Sequence, residues 1–428
     1  MKNNILTLIM ALAATTTVNA QSGTNSPYSQ YGLGILADQS QGFNRGMNGL
    51  AIGLRQSNQV NMLNPASYSS VDSLTMIFDV GLSGQVTNFK EGNRKINANN
   101  ADFEYAVAAF RVMPKMGVSL GIVPFSNVGY NYSSTTKVGN STTTSTENHS
   151  GSGGVHQVYL GVGWNILGGL SLGVNGSYLW GSYDRTLTIS SSDTYVNTVT
   201  KTYDVSIHSY KVDLGMQYSL DLNKKDNITI GATYSLGHNL NADPSLTTTN
   251  TNSQTGVSTT NTQTVYDALS IPDIIAVGAV WNHDRKYTFG IDYSLQKWGK
   301  LDYPQLNLTT GNYEQVSGLL SDKHKITAGG EWVPNWQSRK IYNRIHYRLG
   351  ASYSTPYFKV NGQDGPKEIS ISAGFGIPIT NSWNHGSVLN ISGQWVKASA
   401  KDLITENTFR INIGLTFNER WFNKWKVK

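Results

Sequence analysis

Apolar and polar side chains alternate from Leu170 to Trp180: Leu170, Leu172, Val174, Tyr178 and Trp180 share one side, and Ser171, Gly173, Asn175 and Ser177 the other. A two-residue period belongs to a β-strand, whose successive side chains point to opposite faces. The same dyad returns in Tyr210–Leu220, in Tyr287–Leu295 and in Phe409–Phe417, each time with one greasy face and one that is polar or glycine. Followed along the chain, it predicts fourteen strands, near 74–86, 102–113, 117–131, 154–166, 170–185, 204–221, 228–240, 269–282, 286–298, 323–333, 343–356, 367–378, 387–398 and 408–418.

A soluble sandwich alternates too, so the connections decide between the two. Those at Pro114-Lys115, 167–169, 223–227 and 283–285 are short, whereas 133–152, 187–203, 241–264 and 299–322 are long. Short turns on one rim, long loops on the other and an even strand count predict an all-β fold, a transmembrane antiparallel β-barrel of about 14 strands. The runs also exceed the ~9–11 residues that a tilted strand needs to cross the hydrocarbon layer. Trp164, Trp281 and Trp332 close strands just before short turns on the apolar face, where indole rings favour the headgroup level. The long segments are rich in Ser, Thr and Asn and read as solvated loops.

Composition agrees with the pattern: 39% hydrophobic residues, 43 Gly, 23 Tyr and 10 Trp in 428 residues suit neither a helical nor a disordered chain. The formal charge of +6 is spread without a basic stripe, so nucleic acid is not expected as a partner. Lys2, the apolar run Ile5 to Ala14 and Val18-Asn19-Ala20 read as a signal peptide over 1–20. With no cysteine, a lipid-anchored N-terminus, disulfides and thiolate metal sites are excluded. The expected location is the bacterial outer membrane, with the barrel over 74–422 in contact with lipid and a short basic periplasmic tail over 423–428. Phe417 and Phe422 both remain open as the residue that closes the last strand.

Residues 21–73 precede the first strand, and a barrel of this size has a lumen wider than its own side chains fill. Gly32, Gly34, Gly42, Gly46, Gly49 and Gly53 suit a compact irregular plug or hatch in that lumen, anchored by Leu50, Ile52, Leu54, Val60 and Leu63. Pro124 interrupts the third strand, which reads either as a kink or as that strand's end. The inward faces carry Lys211, Asp213, Asp292, Glu331, His346, Arg348 and Arg410, charges of both signs that could pair with one another and hold the plug.

Signal peptide, plug with Asn64-Pro65-Ala66, fourteen strands, "SIPDIIAVGAVW" and "MPKMGVSLGIVPFSNVGY" together resemble the FadL-like family of long-chain fatty-acid and aromatic-hydrocarbon transporters. The resemblance implies passive uptake: a hydrophobic small molecule enters from outside, descends toward the plug and leaves sideways at a kink in the third strand. Pro124 would mark that gap and Asn64, Pro65 and Ala66 would face it. Some members of the family serve instead as accessory subunits or shuttles of outer-membrane assembly and secretion machines, which would make other outer-membrane proteins the partners. A general porin for polar solutes is the third reading. The chain holds no G-x-S-x-G, H-E-x-x-H or phosphate-loop motif and no clustered metal ligands, so no enzyme activity, metal or cofactor is expected.

Overall fold

The computed structural model describes residues 23–379 and 386–419. The expected signal peptide, the basic tail and Phe422 lie outside the described residues. Fourteen barrel strands follow in chain order: β1 (Met76–Glu91), β2 (Arg94–Met113), β3 (Met116–Lys137), β4 (Thr144–Leu167), β5 (Leu170–Ser191), β6 (Thr198–Asp221), β7 (Asp226–Ser235), β8 (Ile274–His283), β9 (Tyr287–Gln296), β10 (Lys323–Trp332), β11 (His346–Ser354), β12 (Lys367–Ile379), β13 (Ser387–Ser399) and β14 (Thr405–Glu419). Each pairs antiparallel with its neighbour, and β14 returns to β1 from Met76↔Glu419 to Lys90↔Thr405, closing the cylinder. Among the described residues no helix is long and apolar enough to cross a membrane.

Burial is inverted relative to a water-soluble sandwich. On β5 the apolar Leu172 and Val174 are 41% and 42% exposed, while the polar Ser171 and Asn175 are 0% exposed. Grease faces outward to lipid and polar groups pack inward, as in an outer-membrane barrel. Trp164, Trp281 and Trp332 lie exposed on the outer surface near the short-turn rim, which is therefore the inner, periplasmic one.

The Ser/Thr-rich segments differ from the expected loops. β3, β4, β5 and β6 continue through most of them, and a hairpin of Ser245–Thr251 and Ser258–Thr264 adds to the outer edge of β6. Threonine is β-branched and fits the pleat, and paired hydroxyls cross the strands at Thr188–Thr200, Thr247–Thr262 and Thr249–Thr260. The result is a sheet standing above the barrel. The β3–β4 ladder shifts register between Pro124 and Ser126, and β4 runs on through Gly153, paired with Val128, at a φ of 108° that L side chains rarely adopt.

Residues 23–73 run inside the ring of strands. They begin between β2 and β3, pass a short strand at Ile35–Leu36, a helical turn α1 (Gly42–Arg45) and a 3-10 turn at Pro65–Ser70, and leave at the inner rim to start β1.

Candidate functional site

The inner half of the lumen is occupied by the chain's own backbone, and the wall makes room for it with glycine. Gly117, Gly163, Gly173 and Gly215 stand opposite one another on β3 to β6, and a Cβ on any of them would overlap Asn64, Pro65 or Tyr68. Farther round, Gly231 meets the carbonyl of Ile52, Gly329 and Gly350 meet Met47, Gly374 meets Gly46, and Gly414 meets Gly42. A girdle of missing side chains thus traces the path of residues 42–68.

Polar wall groups satisfy the irregular backbone, as a buried loop requires. The Asp292 carboxylate accepts the amides of Ala51 and Ile52 at 2.6 and 2.9 Å. Gln217 donates to the carbonyls of Ile52 and Leu54, and Asn175 to that of Met62. Asn64 caps its own turn by accepting from Ala66, and donates to Ile52 and to Met216 of the wall. Arg45 donates to Glu104 at 2.8 Å, to Asn412 at 2.9 Å and to the carbonyls of Asp38 and Ser40. Burial disfavours charge on Arg45, but the Glu104 and Asp38 carboxylates outweigh it and hold the guanidinium above its ordinary value. For Asp38 burial likewise opposes ionisation, and the nearby Lys325 and Arg45 cations keep its carboxyl below the usual range.

Of the seven luminal charges expected from the sequence, Asp292 alone bonds directly to the luminal segment's backbone. Arg348 donates to Glu331 and Asn390, both at 2.6 Å, and packs its stem beside Gly46, with His346 3.1 Å from Glu331. Lys211 pairs with Asp213, which also accepts from Ser235, so these groups tie wall to wall. Arg410 donates to Gln85, whose amide reaches the carbonyl of Gly23. Strict alternation does not point to Glu104, because a register shift between Gly81 and Leu82 of β1 leaves Glu104 of β2 as an extra residue and turns both Glu104 and Tyr105 inward. The slip is visible in "DFEYAVAAF" only as a change of apolar phase.

Above this seat lies a cavity of about 360 Å³. Its lining mixes charged groups of both signs, among them Asp38, Asp292, Lys325 and Arg410, with apolar ones such as Leu36, Met62, Phe125 and Trp298. An apolar cluster closes it on the outer side, with Leu33, Tyr183, Trp298, Tyr357 and Phe358 buried together. Arg185 knots this cap, donating to the Gly32 carbonyl at 2.6 Å and to the Tyr303 hydroxyl at 2.8 Å, while Tyr357 donates to the Gly34 carbonyl.

The ladder between β2 and β3 ends near Pro124. Pairing of β2 with β3 stops at Ala106↔Ile122, and above it β3 pairs instead with the luminal strand through Ile35↔Asn127 and Leu36↔Ser126. Gly23 is wedged between Asp102 of β2 and Asn127 of β3. Pro124 has no N–H to offer a ladder, and its carbonyl accepts from Gln39 at 3.3 Å. The segment against Pro124 is therefore 35–39, whereas Asn64, Pro65 and Ala66 face the glycines of β4, β5 and β6, an arrangement different from the one the resemblance implied. Among the described residues no group of three or more potential ligands could hold a metal ion.

Known structures share this architecture at low sequence identity. The toluene transporter TodX of Pseudomonas putida aligns at 13% identity over 91% of this chain and 100% of its own, with a TM-score of 0.61. A Pseudomonas aeruginosa FadL homologue aligns at 10% identity over 88% and 98%, also at 0.61, and the CymD monoaromatic hydrocarbon channel at 14% identity over 88% and 97%, at 0.57. No curated protein matches. These likenesses show a FadL-like outer-membrane fold. The family described as BamG matches residues 1–428, end to end. With that match over the whole length of a closed, internally filled barrel, the chain belongs to the BamG family.

Proposed function

We propose that this barrel is a non-transporting subunit of an outer-membrane protein assembly machine, with residues 23–73 as a fixed plug. The observation that carries this reading is the fit of the plug to the wall: its backbone rests on glycines and its amides bond to wall carboxylates and amides. The remaining cavity mixes apolar side chains with charges of both signs, and an apolar ligand lying against Asp38, Asp292, Lys325 or Arg410 would strip those groups of hydration. The BamG match points to partners in assembly machinery. Gentle detergent extraction of a tagged chain followed by mass spectrometry tests the reading, with one or more outer-membrane proteins expected at stoichiometric yield. Recovery of the barrel alone would overturn it.

A second reading, passive uptake of small hydrophobic molecules, rests on the parted ladder at Ala106↔Ile122 and on neighbours described as a toluene transporter and a hydrocarbon channel. Flux of toluene into liposomes holding the pure barrel, lowered by replacing Pro124, is its expected signature.

A further inference from the structure

Among the described residues, one connection on the inner rim is of a different kind. The connections after β2, β4, β6 and β8 take a few residues each, but β10 and β11 are joined by residues 333–345. This loop is folded: Asn335 donates to the Asn343 carbonyl at 2.8 Å, and Tyr347 to the Tyr342 carbonyl at 3.1 Å. Yet its turn at Ile341–Asn343 buries no residue, and Trp336, Ile341 and Tyr342 are 49%, 51% and 52% exposed. Cations cover the two rings: the Arg285 guanidinium, from the turn between β8 and β9, lies 5.5 Å from Trp336, and the Lys340 ammonium 5.8 Å from Tyr342. The loop contains Arg339, Lys340 and Arg344 and no acidic residue.

We propose that this loop, with Arg285 and Lys286 beside it, binds anionic phospholipid headgroups of the inner leaflet. Position is the first support. The loop departs from Trp332 and returns to Tyr347, which pair across β10 and β11 with ring centroids 5.4 Å apart, and Trp332 is exposed on the lipid face. Both ends are thus held at the depth where aromatic rings border the headgroups. Chemistry is the second. An aromatic body with a cation over it matches the acyl boundary on one side and a phosphate on the other, and cations near a membrane surface favour anionic over zwitterionic lipid.

The test uses the mature chain in nanodiscs that mix phosphatidylethanolamine and phosphatidylglycerol, with retained lipid counted by native mass spectrometry. The wild type should retain phosphatidylglycerol beyond its share, and the triple variant Arg285→Gln, Arg339→Gln, Lys340→Gln should lose that preference, by on the order of fivefold per cation. Replacing Arg339 by Lys should keep it. Heat-modifiable migration on gels reports separately that the triple variant remains a folded barrel, and Trp336→Ala, which spares the charges, should weaken retention of both lipids. No enrichment in the wild type, enrichment unchanged in the triple variant, or loop-dependent capture of a soluble protein without lipid preference would each overturn the proposal.

Discussion

The two halves of the lumen are closed by opposite means. At the inner seat the wall withdraws its side chains, so the backbone of residues 42–68 touches the backbone of the barrel at one glycine after another. At the outer cap the wall and its loops send large side chains inward, and Tyr183, Trp298, Tyr357 and Phe358 fill the space around residues 28–34. A contact made by omission leaves nothing that can give way. One made by flexible rings can repack, as apolar cores do when volume is roughly conserved. The inner seat should therefore tolerate almost no added atom, and the outer cap should tolerate several.

The largest effect is expected from Gly173→Val. Its Cβ would collide with the backbone of Pro65, which cannot rotate aside as a side chain end would. Destabilisation above ~3 kcal/mol, or release of residues 42–68 from the wall, is expected, read by thermal unfolding and by new protease cleavage within residues 42–70. Gly176→Val sits on the outward face of the same strand with nothing within 4 Å of its Cβ and should leave both readings near wild type. Equal responses from the two would erase the contrast between seat and surface.

Next comes Arg45→Ala. It strands Glu104, 7% exposed, beside Ser83 with its cation gone, and removal of one partner of a buried pair costs about 3–5 kcal/mol. Lysine should not restore what is lost, because Arg45 also donates to Asn412 and to the carbonyls of Asp38 and Ser40, a spread that only a guanidinium can span. Full rescue by Arg45→Lys in the same unfolding assay would show that charge alone anchors α1.

Why one half was more legible than the other follows from the same contrast. The outward grease of Leu172, Val174 and Ile411 announces itself at a two-residue period, and with it came the strand number and the membrane. The glycines of the inward face were visible as glycines, but a missing side chain does not say what fills its place. Glu104 hid behind a bulge, a local slip with no compositional mark. The tall sheet reads as loops in sequence because Thr, Ser and Asn serve both solvated loops and exposed strands, and only cross-strand pairing separates the two. The resemblance implies an Asn64-Pro65-Ala66 turn opposite Pro124, whereas a hydrogen bond from Asn64 to the Met216 carbonyl and the glycine stripe hold it against β4 to β6.

At the outer cap, Tyr357→Phe keeps the ring and removes the hydroxyl that bonds to the Gly34 carbonyl. A loss of about 1 kcal/mol is expected, with residues 42–70 still protected from protease. A drop as large as that of Gly173→Val would place the decisive clamp at the outer rather than the inner end.

The smallest effect tests the sheet above the barrel. Thr188 on β5 and Thr200 on β6 stand opposite each other with their hydroxyls 3.3 Å apart. Replacing both with Val removes the hydroxyl pair but retains the β-branch, so a change of only a few tenths of a kcal/mol is expected. Replacing both with Gly removes branch and hydroxyl together and should fray the hairpin first at its tip. Amide hydrogen exchange over 186–202 separates the outcomes: exchange near wild type in the valine pair with fast exchange in the glycine pair makes strand propensity the organising force. Equal fraying in both would instead assign the sheet to its hydroxyl contacts. Because this hairpin stands clear of residues 42–68, neither pair should alter protease protection of residues 42–70, which keeps stability of the outer sheet and closure of the inner seat independently measurable.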